Sequence, residues 1–99
     1  MCGATRAGVS TDGVDLATEA VVQGVVTRDG EPVGTAYVRL LDASGEFTAE
    51  APTSATGQFR FFARPGTWTL RTLAPGAEPV DEKVTAAIGM ITELEIRVG

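Results

Sequence analysis

The chain contains no histidine, one cysteine and one lysine, and these shortages set the first limits on its chemistry. Without histidine it lacks the commonest general base and the commonest zinc ligand. Ser-His-Asp triads, Cys-His pairs and four-ligand Cys/His zinc sites are excluded by count. The single cysteine, Cys2, cannot form an internal disulfide, and a domain that folds without one suits a reducing compartment. Lys83 is the only lysine; the remaining basic residues are arginines, and the net charge is -5. That balance argues against a nucleic-acid partner, whose phosphates reward basic surfaces. No run of about 18 apolar residues is present, so no membrane span and no membrane partner are expected. The first 20 residues lack the apolar core of a signal peptide, and no apolar segment precedes Cys2 as in a lipoprotein. A cytoplasmic location is the expectation.

What is present reads as β structure. At 99 residues and 43% hydrophobic content the chain makes one domain that can bury about two-thirds of its unfolded surface. Residues 1–18 are mostly small and polar and read as a flexible N-terminal arm; the folded domain is expected over 19–99. Period-two alternation then predicts strands over Ala20–Arg28, Ala36–Leu41, Glu46–Ala51, Gln58–Ala63, Thr67–Leu73, Val80–Val84 and Thr92–Val98. Asp29-Gly30 is a strong turn signal, and Glu31-Pro32-Val33-Gly34 reads as its continuation into a loop. Gly24 in mid-strand points to a bulge or to a close neighbouring backbone. No stretch repeats apolar residues at helical period. The sum is an all-β, seven-stranded antiparallel sandwich. Its expected core is Val22, Val26, Val38, Leu40, Phe59, Phe61, Trp68, Leu70, Leu94, Ile96 and Val98.

Five segments in order carry a resemblance: Gly24-Val25-Val26, Asp29 to Gly34, Val38-Arg39-Leu40, Thr56 to Phe61, and Pro65 to Leu70. Over residues 20–98 the chain resembles the carboxypeptidase regulatory-like domain, which implies a transthyretin-like (prealbumin-like) sandwich. A narrower resemblance spans nearly the whole chain. Met1-Cys2-Gly3, Tyr37 to Asp42, Glu46 to Glu50, and Ser54-Ala55 leading into Phe59 to Phe62 and Trp68 to Arg71 look like the SseC-like proteins, a small actinobacterial family. Those are named for sulfur metabolism because they are encoded beside thiosulfate sulfurtransferases of the rhodanese type. The resemblance implies a possible thiosulfate sulfurtransferase partner and implies no cofactor, metal or catalytic residue. Transthyretin-like folds also include a hydrolase that relies on histidine, and that chemistry is not expected here.

Cys2 is the one soft nucleophile. If the initiator Met is removed, its thiol sits beside the α-ammonium, which favours the reactive thiolate. Cys2 is therefore the sulfur-carrier candidate. Arg39, Arg60 and Arg71 fall on non-core strand faces, with Glu46 and Glu50 near them in sequence as candidate ion-pair partners. Arginine is enriched at interfaces, and Tyr37, Phe47 and Phe62 would add aromatic anchors, so these six are the protein-docking candidates. Asp12-Gly13-Val14-Asp15 lacks the further ligands of a calcium loop. Glu93 and Glu95 read as a solvated edge that guards the last strand against pairing. Three function classes follow: a non-catalytic accessory or sulfur-carrier protein, a structural or protein-binding module with no sulfur chemistry, and a small enzyme using Cys2. The third has no base or oxyanion constellation to support it.

Overall fold

Short alternating stretches separated by turn residues build strands because each buries one face and wets the other. The computed structural model describes residues 20–99. The arm expected over 1–18, with Cys2, lies outside the described residues. Eight strands form: β1 (Ala20–Arg28), β2 (Glu31–Pro32), β3 (Tyr37–Leu41), β4 (Phe47–Pro52), β5 (Gln58–Ala63), β6 (Gly66–Leu73), β7 (Val80–Ala86) and β8 (Ile91–Arg97). No helix occurs among the described residues.

The strands make two sheets. In the first, β1 is central and pairs with β5, with β2 and with β8. The second runs β4-β3-β6-β7, and every pair in it is antiparallel. Two expectations are corrected. Among the described residues the strands number eight, because Glu31–Pro32 pairs with Arg28 and Thr27 where a loop was expected. The Asp29-Gly30 turn carries positive φ at both residues (53° and 83°), the geometry of a tight two-residue hairpin, and it folds β2 back onto β1. Pro32 is tolerated at the end of so short a strand. The sandwich is also not wholly antiparallel: β1 and β8 run parallel, from Val21↔Ile91 to Thr27↔Arg97. The chain leaves β7 in the second sheet, crosses over, and enters β8 beside the start of β1, so both strands advance together. Alternation assigns a residue to a face and carries no information on strand direction.

The inward faces meet in one core. Val22, Val26, Val38, Leu40, Phe59, Phe61, Leu70, Ile96 and Val98 are buried there, joined by Ala20, Ala36, Ala63, Val84 and Ala86. Phe59 and Phe61 pack tilted, with ring centroids 6.2 Å apart. Trp68 and Leu94, expected in the core, pack against it yet are only partly buried. Leu94 lies on an outer strand. Trp68 lies next to the β5–β6 turn, where its indole N–H donates to the Arg64 carbonyl at 2.9 Å.

Gly24 marks a close neighbouring backbone and not a bulge. A Cβ there would overlap the Leu94 carbonyl oxygen and lie 3.0 Å from the Phe59 ring. Pairing with β5 and β8 runs through Gly24 without a register shift. The irregularity in the fold is elsewhere, between Leu40 and Leu41.

Two stability outcomes follow. Gly24→Ala forces β8 away from β1 and should cost about 3 kcal/mol or more in urea unfolding. Gly30→Ala meets open space and should cost only the left-handed backbone penalty, about 1–2 kcal/mol. Equal losses for the two would refute the close-approach account. Thr72 is fully buried on the core face, and its hydroxyl has no hydrogen-bond partner. Thr72→Val keeps the shape and removes the unsatisfied group, so it should raise stability by about 1 kcal/mol; a lower urea midpoint would show that the hydroxyl is satisfied in solution.

Candidate functional site

The six docking candidates divide between the two outer sheet faces. Tyr37 and Arg39 on β3 and Arg71 on β6 share the outer face of the second sheet, and Phe47 opens β4 in the same sheet. Arg60 and Phe62 lie on β5, in the first sheet. The expectation of one patch is therefore corrected. Each residue does point away from the core, but the β4–β5 connection carries Arg60 and Phe62 to the opposite side of the sandwich.

The second sheet bears a row of four charges. Glu50, Arg39, Arg71 and Asp81 are successive cross-strand partners on β4, β3, β6 and β7. Arg39 Nε donates to Glu50 at 2.9 Å. Arg71 grips Asp81 with two bonds, Nε to one oxygen at 2.9 Å and Nη2 to the other at 3.0 Å. Arg39 thus takes one of the two glutamates expected for it. Glu46 instead lends its backbone N–H to the Asp42 carboxylate in the β3–β4 turn. Asp81 was missed as the partner of Arg71; its outward position on the predicted strand Val80–Val84 was the available signal, but only the β6–β7 register joins the two. Tyr37 is 50% exposed and Phe47 61% exposed on this sheet.

The first sheet bears a different row. Arg60 Nε donates to the Gln23 side-chain oxygen Oε1 at 3.3 Å, and Gln23 Nε2 donates to Glu93 at 2.7 Å. The guanidinium sits 5.9 Å from the Phe62 ring centroid. Its Nη2 is buried without a partner. Thr27 donates to Glu95 at 2.8 Å, and Arg97 lies 3.6 Å from the same carboxylate. Glu93 and Glu95, expected to be merely solvated, are thus tied to β1. They border a shallow depression of about 420 Å³ with Gln23, Val25 and Gln58. Phe62 contributes instead to a cleft of about 550 Å³ beside Trp68, Arg64 and Asp42. Among the described residues no cluster of three or more His, Cys, Asp or Glu is placed to hold a metal ion.

Hydrogen bonds hold two carboxyls below their ordinary 3.8: Ser44 and the Glu46 N–H act on Asp42, and Arg71 acts on Asp81 through its hydrogen bonds and its charge. A lowered folded-state pKa stabilises fully above the unfolded value, and that contribution is lost as pH falls through the folded one. Stability should therefore decline below about pH 4. In the double variant Asp42→Asn/Asp81→Asn the decline should be shallower. An unchanged slope in urea melts between neutral and acid pH would contradict this assignment.

Known proteins with this fold do different things. The minor pilin GBS52 of Streptococcus agalactiae superposes with a TM-score of 0.69 at 13% identity, over 82% of this chain and 44% of that one. The dioxygenase domain of a dioxygenase carbohydrate-binding protein fusion from a cellulolytic Streptomyces superposes with a TM-score of 0.64 at 12% identity, over 93% of this chain and 86% of that one. At such identities the likeness shows the fold alone. In sequence, an uncharacterized protein of Mycobacterium tuberculosis strain H37Rv is 47% identical over 100 residues, covering 99% of both chains. The model of a family described as "Protein of unknown function (DUF1416)" matches residues 2–98, and the chain belongs to that family.

Proposed function

We propose that this protein is a non-catalytic accessory and sulfur-carrier protein of transthyretin-like fold, working in the cytoplasm with a thiosulfate sulfurtransferase of the rhodanese type. Its docking surface is the outer face of the β4-β3-β6-β7 sheet. The observation that supports this reading is the side-by-side placement of Arg39 and Arg71 on a face that also exposes Tyr37. Arginine and tyrosine, with tryptophan, are the residue types enriched among the few that dominate binding energy. Among the described residues the carboxylates of this face, Glu50 and Asp81, are each engaged by an arginine, which suits a binding role better than catalysis.

Carriage is assigned to Cys2. Its thiolate attacks the outer sulfur of the sulfurtransferase persulfide. A sulfur–sulfur bond to Cys2 forms as the enzyme's own breaks, leaving a Cys2 persulfide and the enzyme thiolate. No net oxidation occurs, and the Cys2 thiol proton passes to solvent beforehand.

The test uses the purified full chain, thiosulfate and the sulfurtransferase. Cys2 should gain the mass of one sulfur atom, and Cys2→Ser should gain none. No gain while the enzyme turns over cyanide would refute carriage and leave a binding module without sulfur chemistry. Charge reversal at Arg39 and Arg71 together should weaken sulfurtransferase binding at least tenfold, about 1.4 kcal/mol. Arg60→Glu, on the other sheet, should leave binding unchanged. The opposite pattern would move the docking surface to the first sheet.

A further inference from the structure

We propose that Arg39 and Arg71 together form an oxyanion-binding site across the β3–β6 seam. The inference rests on the docking face named above and gives its ligand chemistry: a carboxylate or a tetrahedral oxyanion.

The two arginines are direct cross-strand partners. Residues so placed hold their Cβ atoms about 4.5–5.5 Å apart, and like charges there repel. Their carboxylate partners stand on the outer strands, Glu50 on β4 and Asp81 on β7. Neither β3 (YVRLL) nor β6 (GTWTLRTL) carries an acidic residue, so among the described residues the seam strands place no carboxylate between the two arginines.

The donor count leaves room for a ligand. A guanidinium offers about five N–H bonds. Among the described residues Arg39 commits its Nε to Glu50, and Arg71 commits Nε and one Nη2 bond to Asp81. The two Nη groups of Arg39 and the Nη1 group of Arg71 remain for a shared acceptor. An oxyanion over the seam accepts from both arginines and relieves their repulsion; the planar fork suits carboxylates and tetrahedral oxyanions alike.

The surroundings favour an anion. Lys83 and Thr69 are cross-strand partners one row away on the same face, and Asp81 lies two residues before Lys83. These two cross-strand rows carry Arg39, Arg71 and Lys83 against Glu50 and Asp81, a net positive balance on a chain of net charge -5. Thr69 brings a hydroxyl donor to the next row, and Tyr37 and Leu73 close the other side.

The experiment is an NMR titration of the full chain with sodium sulfate and, separately, sodium acetate, at ionic strength held constant with sodium chloride. Saturable shifts should map to β3 and β6. Arg39→Gln and Arg71→Gln should each weaken binding about tenfold, the loss of a charge-assisted contact. Arg97→Gln, in the other sheet, should change nothing. Saturation by sulfate alone assigns a tetrahedral oxyanion, by acetate alone a carboxylate, and by both an oxyanion site that does not discriminate. Shifts that follow ionic strength only, or that persist in a folded Arg39→Gln/Arg71→Gln double variant, overturn the proposal. No sulfurtransferase is present, so anion binding can hold where partner binding fails, and the reverse.

Discussion

The contact on which the first sheet depends is the close approach of β8 to β1 at Gly24. The Leu94 carbonyl sits where any side chain at residue 24 would have to go. Only this approach lets β8 run the length of β1 from Val21 to Thr27. β1 in turn holds β5 through residues Ala20 to Val25 and β2 through Thr27 and Arg28. Ile96 and Val98 then reach the core shared with Leu40 and Leu70 of the opposite sheet. A parallel partner also brings its outward residues into step with those of β1. Gln23 therefore meets Glu93, and Thr27 comes within a hydrogen bond of Glu95.

The two outer faces hold their arginines differently. On the first sheet Arg60 is drawn inward, against Gln23 and the Phe62 ring, with one nitrogen buried, while Arg97 stays exposed beside Glu95. On the second sheet the arginines remain under half exposed to solvent, at 43% and 44% of their side-chain surface, with carboxylates to one side only. Exposed ion pairs of this kind add little to stability, typically under about 1 kcal/mol. Their arrangement therefore matters more for what the face can bind than for holding the sheets together.

Much of the frame was legible before any fold was known. Alternation placed Phe59, Phe61, Leu70, Ile96 and their companions inward, and Asp29-Gly30 marked the hairpin turn that the backbone adopts. Gly24 signalled either a bulge or a close backbone, and the second is realised. Trp68 was misplaced because alternation gives its face and not its distance from the sheet margin, where the Arg64 carbonyl holds the indole. The candidate site was legible only in part. Arg39, Arg60 and Arg71 all point outward as their strand positions require, yet they do not share a face.

By itself the sequence determined which side chains each strand turns inward, where the chain reverses, and which chemistries the absence of histidine forbids. These are properties of a few neighbouring residues, set by backbone pleat, turn geometry and composition. Tertiary structure alone decided that β8 runs parallel to β1, that Arg60 departs to the other sheet, and that Arg39 stands opposite Arg71 with Asp81 beyond it. Those facts depend on strand order and register. Pairings between segments tens of residues apart settle both, because each strand must bury its apolar face and satisfy its backbone at the same time.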